Sequence, residues 1–177
     1  SPLVMGGRLY LSLGEAGTAF DAARGTVLWQ SAPGHPGYSS PVPFRAASEQ
    51  RLAFFSGHGA VGVAALSGKK IWEIPWRTEW DMNAADPIIH EQSLVLSAGN
   101  NAGSARFDLA GAAPREVWRN AHLKTPMCGA VLWQGYLYGF NDSELVCVAW
   151  QDGALAWSDR TLWRGTVMIV DGKLLAL

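Results

Sequence analysis

Ala19-Phe-Asp-Ala-Ala-Arg-Gly25-Thr-Val-Leu-Trp29 decides the fold, because the same segment returns along the chain. It recurs as Gly62-Val-Ala-Ala-Leu-Ser-Gly68-Lys-Lys-Ile-Trp72 and as Cys147-Val-Ala-Trp-Gln-Asp-Gly153-Ala-Leu-Ala-Trp157. A looser copy runs from Asp108 to Trp118, where Leu109-Ala-Gly-Ala-Ala-Pro-Arg115 adds two residues at the turn. The four tryptophans are spaced by 43, 46 and 39 residues. A period near forty, with short apolar runs and glycine-bearing turns, reads as a repeated unit of four antiparallel strands, and leaves almost no room for helices.

Each copy opens on a proline-led strand: Ser1-Pro2-Leu-Val, Ser40-Pro41-Val, Asp86-Pro87-Ile-Ile and Thr125-Pro126-Met. Proline suits the first residue of a strand, where no ladder donor is lost. Second strands follow at Arg8–Leu13, Arg51–Phe55, Ser93–Ser97 and Tyr136–Phe140, with Gly6-Gly7 and Gln134-Gly135 supplying tight turns. The third strand carries the small residue and the fourth ends at the tryptophan. Runs such as Ala130-Val-Leu-Trp133 and Leu145-Val-Cys-Val-Ala149 are apolar on both faces, as expected of sheets stacked face to face. The small residues at positions 19, 62 and 147 are expected to leave room for an indole from the adjacent unit.

The pattern Ala-x-Asp-x-x-x-Gly-x-x-x-Trp resembles the tryptophan-docking motif of the PQQ-like (quinoprotein) β-propeller repeat family. The likeness spans the chain; it is complete at 19–29, lacks the acidic residue at Ala64, and is stretched in the third copy. It implies an all-β fold, a propeller fragment of four four-stranded antiparallel blades and the first hairpin of a fifth. The expected blades cover about 1–39, 40–84, 85–124 and 125–164, and the hairpin 165–177 turns at Asp171-Gly172. The expected docking residues are Ala19, Gly25, Trp29, Gly62, Gly68, Trp72, Trp118, Cys147, Gly153 and Trp157. The chain lacks an initiator methionine and stops within a strand, so the remaining blades of a longer chain are expected as its first partners.

Composition excludes several functions. A net charge of −1 and no basic stripe give no case for nucleic acid, and no apolar run reaches the roughly 18 residues of a membrane span. Cys128 and Cys147 are expected on the first and third strands of the fourth blade, too far apart to bridge, as two free, buried thiols. The histidines, His35, His58, His90 and His122, never approach metal-ligand spacing, so no metal site is expected. Nucleophile elbows, phosphate loops and complete calcium loops are also missing. No catalytic residue is assigned and no cofactor is evident.

Within the family, quinone-dependent alcohol dehydrogenases use PQQ and calcium, and the resemblance implies for them an adjacent cysteine pair, calcium ligands and an aspartate base. These cannot be assembled from the residues present. The favoured reading is therefore a non-catalytic binding or scaffold propeller of the bacterial periplasm or cell envelope, with a protein or polymeric ligand. A fragment of a PQQ-dependent dehydrogenase is the alternative. In such blades the fourth-to-first links and second-to-third loops share one end. That end gathers the candidate ligand residues His35, Tyr38, Arg77, Glu79, Asp81, Asn83 and His122; its links also carry Lys124, Asp159, Arg160 and Arg164, and its second-to-third loops add Glu15, His58, Asn100, Asn101, Asn141 and Asp142. Loops held by a rigid scaffold are where recognition concentrates. The densest link, Trp76-Arg-Thr-Glu-Trp-Asp-Met-Asn83, mixes aromatic surface with both charge signs, as binding hot spots do. Its structural alternative has Arg77 pairing with Asp81 or Glu79 across adjacent loops while Trp76 and Trp80 cover blade edges.

Overall fold

The computed structural model describes residues 1–99 and 102–177. Among these the chain folds into four successive four-stranded antiparallel sheets and a closing hairpin, each strand pairing with the next in sequence. Sheet one is β1 (Leu3–Met5), β2 (Arg8–Leu11), β3 (Thr18–Asp21) and β4 (Val27–Gln30); sheet two is β5 (Val42–Ala46), β6 (Glu49–Ser56), β7 (Gly59–Ala64) and β8 (Lys70–Pro75). Sheet three is β9 (Ile88–His90), β10 (Ser93–Ala98), β11 (Gly103–Asp108) and β12 (Arg115–Asn120); sheet four is β13 (Val131–Trp133), β14 (Tyr136–Asn141), β15 (Glu144–Ala149) and β16 (Leu155–Asp159). The hairpin pairs β17 (Val167–Val170) with β18 (Lys173–Ala176). This is a β-propeller arrangement of four blades and the start of a fifth.

The two-sided apolar strands are explained by where their faces go. In β6, Leu52 and Phe54 join Tyr10 and Ala19 of sheet one, while Ala53 and Phe55 join Leu94 and Leu96 of sheet three. Successive side chains of a strand point to opposite faces, so one strand feeds two cores. In the same way Val95 turns to Leu137 and Val146 of sheet four, and Phe140 and Leu145 meet Val167 of the hairpin. Every apolar cluster lies between consecutive sheets, the nearest-neighbour packing of a repeat protein.

The repeat motif acts at a shared bulge. Ala19 faces Trp29, Gly62 faces Trp72, Arg106 faces Trp118 and Cys147 faces Trp157, and in each case the register slips at the next residue. A bulge bends and twists its strand and so re-aims the neighbouring side chain. The small residue makes room for the indole of its own sheet, correcting the expectation that it receives a neighbour's: a Cβ on Gly62 would lie 2.1 Å from Trp72. The next sheet contributes the turn. Trp29 donates its indole N–H to the Ala65 carbonyl at 3.0 Å and lies against Gly68, where a Cβ would approach within 2.5 Å. Trp118 likewise donates to the Trp150 carbonyl at 2.9 Å and lies against Gly153.

Two members depart from this pattern. Trp72 packs in the cluster containing Phe107 and Leu109, beside the lengthened turn, and its buried indole nitrogen has no hydrogen-bond partner among the described residues. Trp157 is 41 % exposed, because the hairpin that follows has no third-to-fourth turn to meet it. The motif aspartates serve the turns themselves: Asp21 accepts from the backbone N–H groups of Ala23 and Arg24 at 3.0 and 2.8 Å, and Asp108 from Ala110 at 2.9 Å.

The fourth blade also corrects the cysteine reading. Its first strand begins at Val131 and not behind Pro126, because residues 126–128 form a bend. Cys128 lies in that bend and is exposed, whereas Cys147 is buried in β15; both are free. Burial pushes the Cys147 thiol upward, partly opposed by a hydrogen bond with Tyr138.

Candidate functional site

The up-and-down topology places the β4–β5, β8–β9, β12–β13 and β16–β17 links at one end, beside the β2–β3, β6–β7 and β14–β15 loops. Gly25, Gly68 and Gly153 sit in third-to-fourth turns at the other end, all with positive φ. Glycine, lacking a Cβ, takes this left-handed conformation without the steric penalty another residue would carry.

At the loop-rich end the densest contact is built from three segments that are distant in sequence. His35 comes from the β4–β5 link, His58 from the β6–β7 loop and Asp81 from the β8–β9 link. Asp81 Oδ2 lies 3.3 Å from His58 Nε2 and 3.8 Å from His35 Nδ1, while Arg77 donates to Oδ1 at 3.3 Å. The two imidazoles stack with centroids 3.9 Å apart and planes at 27°. The ligand-capable atoms of His35, His58 and Asp81 all fall within 4.8 Å of one another. This corrects the expectation that no histidines share a metal-ligand grouping. They are 23 residues apart in sequence, and only the blade topology brings them together.

Close approach of these segments depends on Gly57, where a Cβ would stand 3.1 Å from Asp81 Cβ and 3.2 Å from His35 Cβ. It also depends on Asn83, which is wholly buried. Its Nδ2 donates to the Ser56 carbonyl at 2.8 Å and its Oδ1 accepts from Thr78, while its carbonyl accepts the Tyr38 N–H at 3.1 Å. Asn83 therefore ties three connections together and turns its side chain into the fold, contrary to the expectation that it is a ligand residue. The short 3-10 turn Glu79–Asp81 carries positive φ at Trp80 (68°) and Asp81 (50°). For a residue as bulky as tryptophan this conformation is an outlier. It turns Trp80 outward, at 81 % exposure, and Asp81 toward the histidines.

The remaining candidates are dispersed. Tyr38 is 74 % exposed, and His122 is exposed on the β12–β13 link, outside the His35–His58–Asp81 group. Arg77 pairs with Asp81 within one link instead of across loops. Trp76 is buried edge-on to Phe55, with the Arg119 guanidinium 4.5 Å from its ring centre. Asn100 and Asn101 lie outside the described residues.

A second feature of this end was not visible in the sequence. Met82, Pro126, Met127, Cys128 and Phe140 line a cavity of about 430 Å³, with Asp142, Arg164 and Gly165 at its wall. Arg164 Nε donates to the Asp142 carbonyl at 3.1 Å, and Lys124 Nζ stands 3.8 Å from the Asp142 carboxylate. Met127 is 68 % exposed and Trp163, on the β16–β17 link, is 76 % exposed. The bend that displaced Cys128 from β13 is what brings Met127 and Cys128 to this cavity.

The residues present do not fit a quinone with calcium. Cys128 and Cys147 are an exposed bend residue and a buried strand residue, not an adjacent pair. The ligand-capable group at the loop-rich end offers two imidazoles and a single carboxylate, whereas calcium takes oxygen ligands. No helix of the described residues is long and apolar enough to cross a membrane.

Comparison with known proteins places this geometry in context. No curated protein sequence matches the chain. Among solved structures it is similar to BamB from Moraxella catarrhalis, with a TM-score of 0.73 at 15 % identity over 94 % of this chain and 53 % of that one. It is also similar to the quinohemoprotein alcohol dehydrogenase from Comamonas testosteroni (TM-score 0.67, 10 % identity, 99 % of this chain and 38 % of that one). A third likeness is to the computationally designed Ika8 protein (TM-score 0.70, 8 % identity, 99 % and 54 %). At such identities these likenesses establish the fold alone, and the chain spans about half or less of the length of each structure. The family described as outer membrane protein assembly factor BamB matches residues 1–159. By that match, and by the four blades it covers, the chain belongs to this family of PQQ-like β-propeller repeats.

Proposed function

We propose that the chain is part of a non-catalytic propeller of the bacterial cell envelope, and that its loop-rich end binds a protein segment. The observation that carries this reading is the methionine-lined cavity between the β8–β9, β12–β13 and β16–β17 links. Methionine side chains are flexible and polarisable, and adapt to varied apolar partners. Asp142 and Arg164 stand at its wall with Lys124 beside Asp142, and two of the links that form the cavity also carry exposed aromatic residues, Trp80 and Trp163. An apolar recess with aromatic anchors and a charged margin is the composition of a binding hot spot. The family description, an outer membrane assembly factor, supports an envelope setting and a protein ligand.

The test is site-specific photo-crosslinking in the full-length protein within intact cell envelopes. Probes replacing Met127 and Trp163 are expected to capture a protein partner, and probes at Ala23 and Ala112, in turns of the opposite end, are not. Capture from the turns alone would refute the assignment of the binding end. Dye-linked alcohol oxidation by the intact protein supplied with PQQ and calcium is expected to be absent; turnover would replace the binding reading with an enzymatic one.

A further inference from the structure

We infer that His35, His58 and Asp81 form a binding site for a divalent transition metal of the zinc class, which fastens three connections at the loop-rich end. The inference stands independently of the protein-binding reading, since it uses none of the cavity residues. Its donor set is two imidazoles and one carboxylate, which suits zinc, nickel or copper and not calcium or magnesium. Four-coordinate zinc with bonds of about 2.0–2.1 Å sets its ligand atoms roughly 3.3 Å apart. The His58 Nε2–Asp81 Oδ2 separation of 3.3 Å already meets that spacing, and the His35 Nδ1–Asp81 Oδ2 separation of 3.8 Å lies a few tenths of an ångström beyond it.

The two carboxylate oxygens have divided roles. Oδ2 faces both histidines, while Oδ1 accepts from Arg77 at 3.3 Å. Metal-bound carboxylates are commonly held by such outer hydrogen bonds, which fix their orientation. The surrounding backbone is arranged to the same end. Gly57 lets the three segments converge, Asn83 ties the β8–β9 link to the β6–β7 loop, and the positive φ angles at Trp80 and Asp81 turn the carboxylate inward. Strained non-glycine backbone persists where its surroundings over-determine it, often at ligand sites. Three protein ligands leave the fourth position to water, on the side where His35 is 61 % exposed.

Isothermal titration of the chelator-stripped full-length protein with zinc tests the inference. One zinc per chain is expected at this site, with no heat from calcium, and His58→Gln and Asp81→Asn are each expected to weaken binding at least tenfold. His90→Gln, on β9, is expected to leave it unchanged. A readout that needs no variant is carbethoxylation of histidine in the native protein: zinc is expected to slow modification of His35 and His58 at least tenfold and leave His122 untouched. The inference is overturned if the native protein binds no zinc, if both variants bind like the native protein, or if zinc protects none of the histidines selectively.

Discussion

Substituting the repeat tryptophans one at a time by phenylalanine separates packing from hydrogen bonding, because the structure gives the four indoles different surroundings. The smaller ring removes apolar area worth about 1 kcal/mol wherever the site is buried. At Trp118, 8 % exposed, the change also removes the 2.9 Å bond to the Trp150 carbonyl. A net hydrogen bond contributes about 1 kcal/mol. The carbonyl keeps a partner, since Arg106 donates to it at 3.3 Å, so no orphaned acceptor adds to the loss. Trp118→Phe is thus expected to cost about 2 kcal/mol. Trp72 is equally buried at 7 % exposure, but its N–H has no acceptor among the described residues. Removing an unpaired buried donor regains about 1 kcal/mol or more, which offsets the ring contraction. Trp72→Phe is therefore expected to be close to neutral, and Trp157→Phe, at a 41 % exposed site, to cost well under 1 kcal/mol. Urea unfolding of the full-length protein, followed by far-ultraviolet circular dichroism, measures the order from midpoints at unchanged slope. A Trp72→Phe midpoint lowered as far as that of Trp118→Phe would refute the role given to the bond between indole and turn carbonyl.

Three further outcomes follow from the same structure. Gly25→Ala meets only the left-handed backbone penalty of about 1–2 kcal/mol, since nothing lies within 4 Å of its Cβ position. Gly68→Ala adds a clash with Trp29 and is expected to lower the thermal midpoint several degrees further than Gly25→Ala. Iodoacetamide at neutral pH is expected to modify Cys128 in the native protein and to reach Cys147 only after denaturation, as mass spectrometry of this chain's peptides would show. Acid should destabilise the turns. Asp21 and Asp108 have carboxyls held below the usual range, chiefly by backbone N–H groups of Arg24 and Ala110, and Glu144 is held low chiefly by Arg160. A folded-state value below the unfolded one means stabilisation that is complete above the unfolded value, about pH 4, and lost as pH falls through the lower folded value. Asp21→Asn should therefore flatten part of the acid limb of the unfolding curve; an unchanged limb would count against the turn role of Asp21.

The blade order was legible in the sequence because strand faces obey a two-residue period and the tryptophan interval is long and regular. The tight turns at Gly6-Gly7, Gln134-Gly135 and Asp171-Gly172 were legible for a local reason, their positive φ angles. Less visible was the start of β13, since a proline marks where a strand can begin but not how many residues form a bend before it. Arg106 was missed as the partner of Trp118, although it precedes Asp108 by two positions as Ala19 precedes Asp21. Its guanidinium instead reaches the Trp150 and Gln151 carbonyls of the next sheet. The loop-rich end was placed by topology alone, but which of its residues meet was not. The His35–His58–Asp81 group requires three connections to converge at Gly57, and Asn83 looked like a surface amide until its partners, all within the fold, were seen.

The most direct test of the binding end is hydrogen exchange of the full-length protein with and without the partner captured by the Met127 probe. Slower exchange is expected in the links at 76–87, 121–130 and 160–166, with the turns at 22–26, 65–69 and 150–154 unchanged. Protection confined to those turns, or none at the links, would contradict the account.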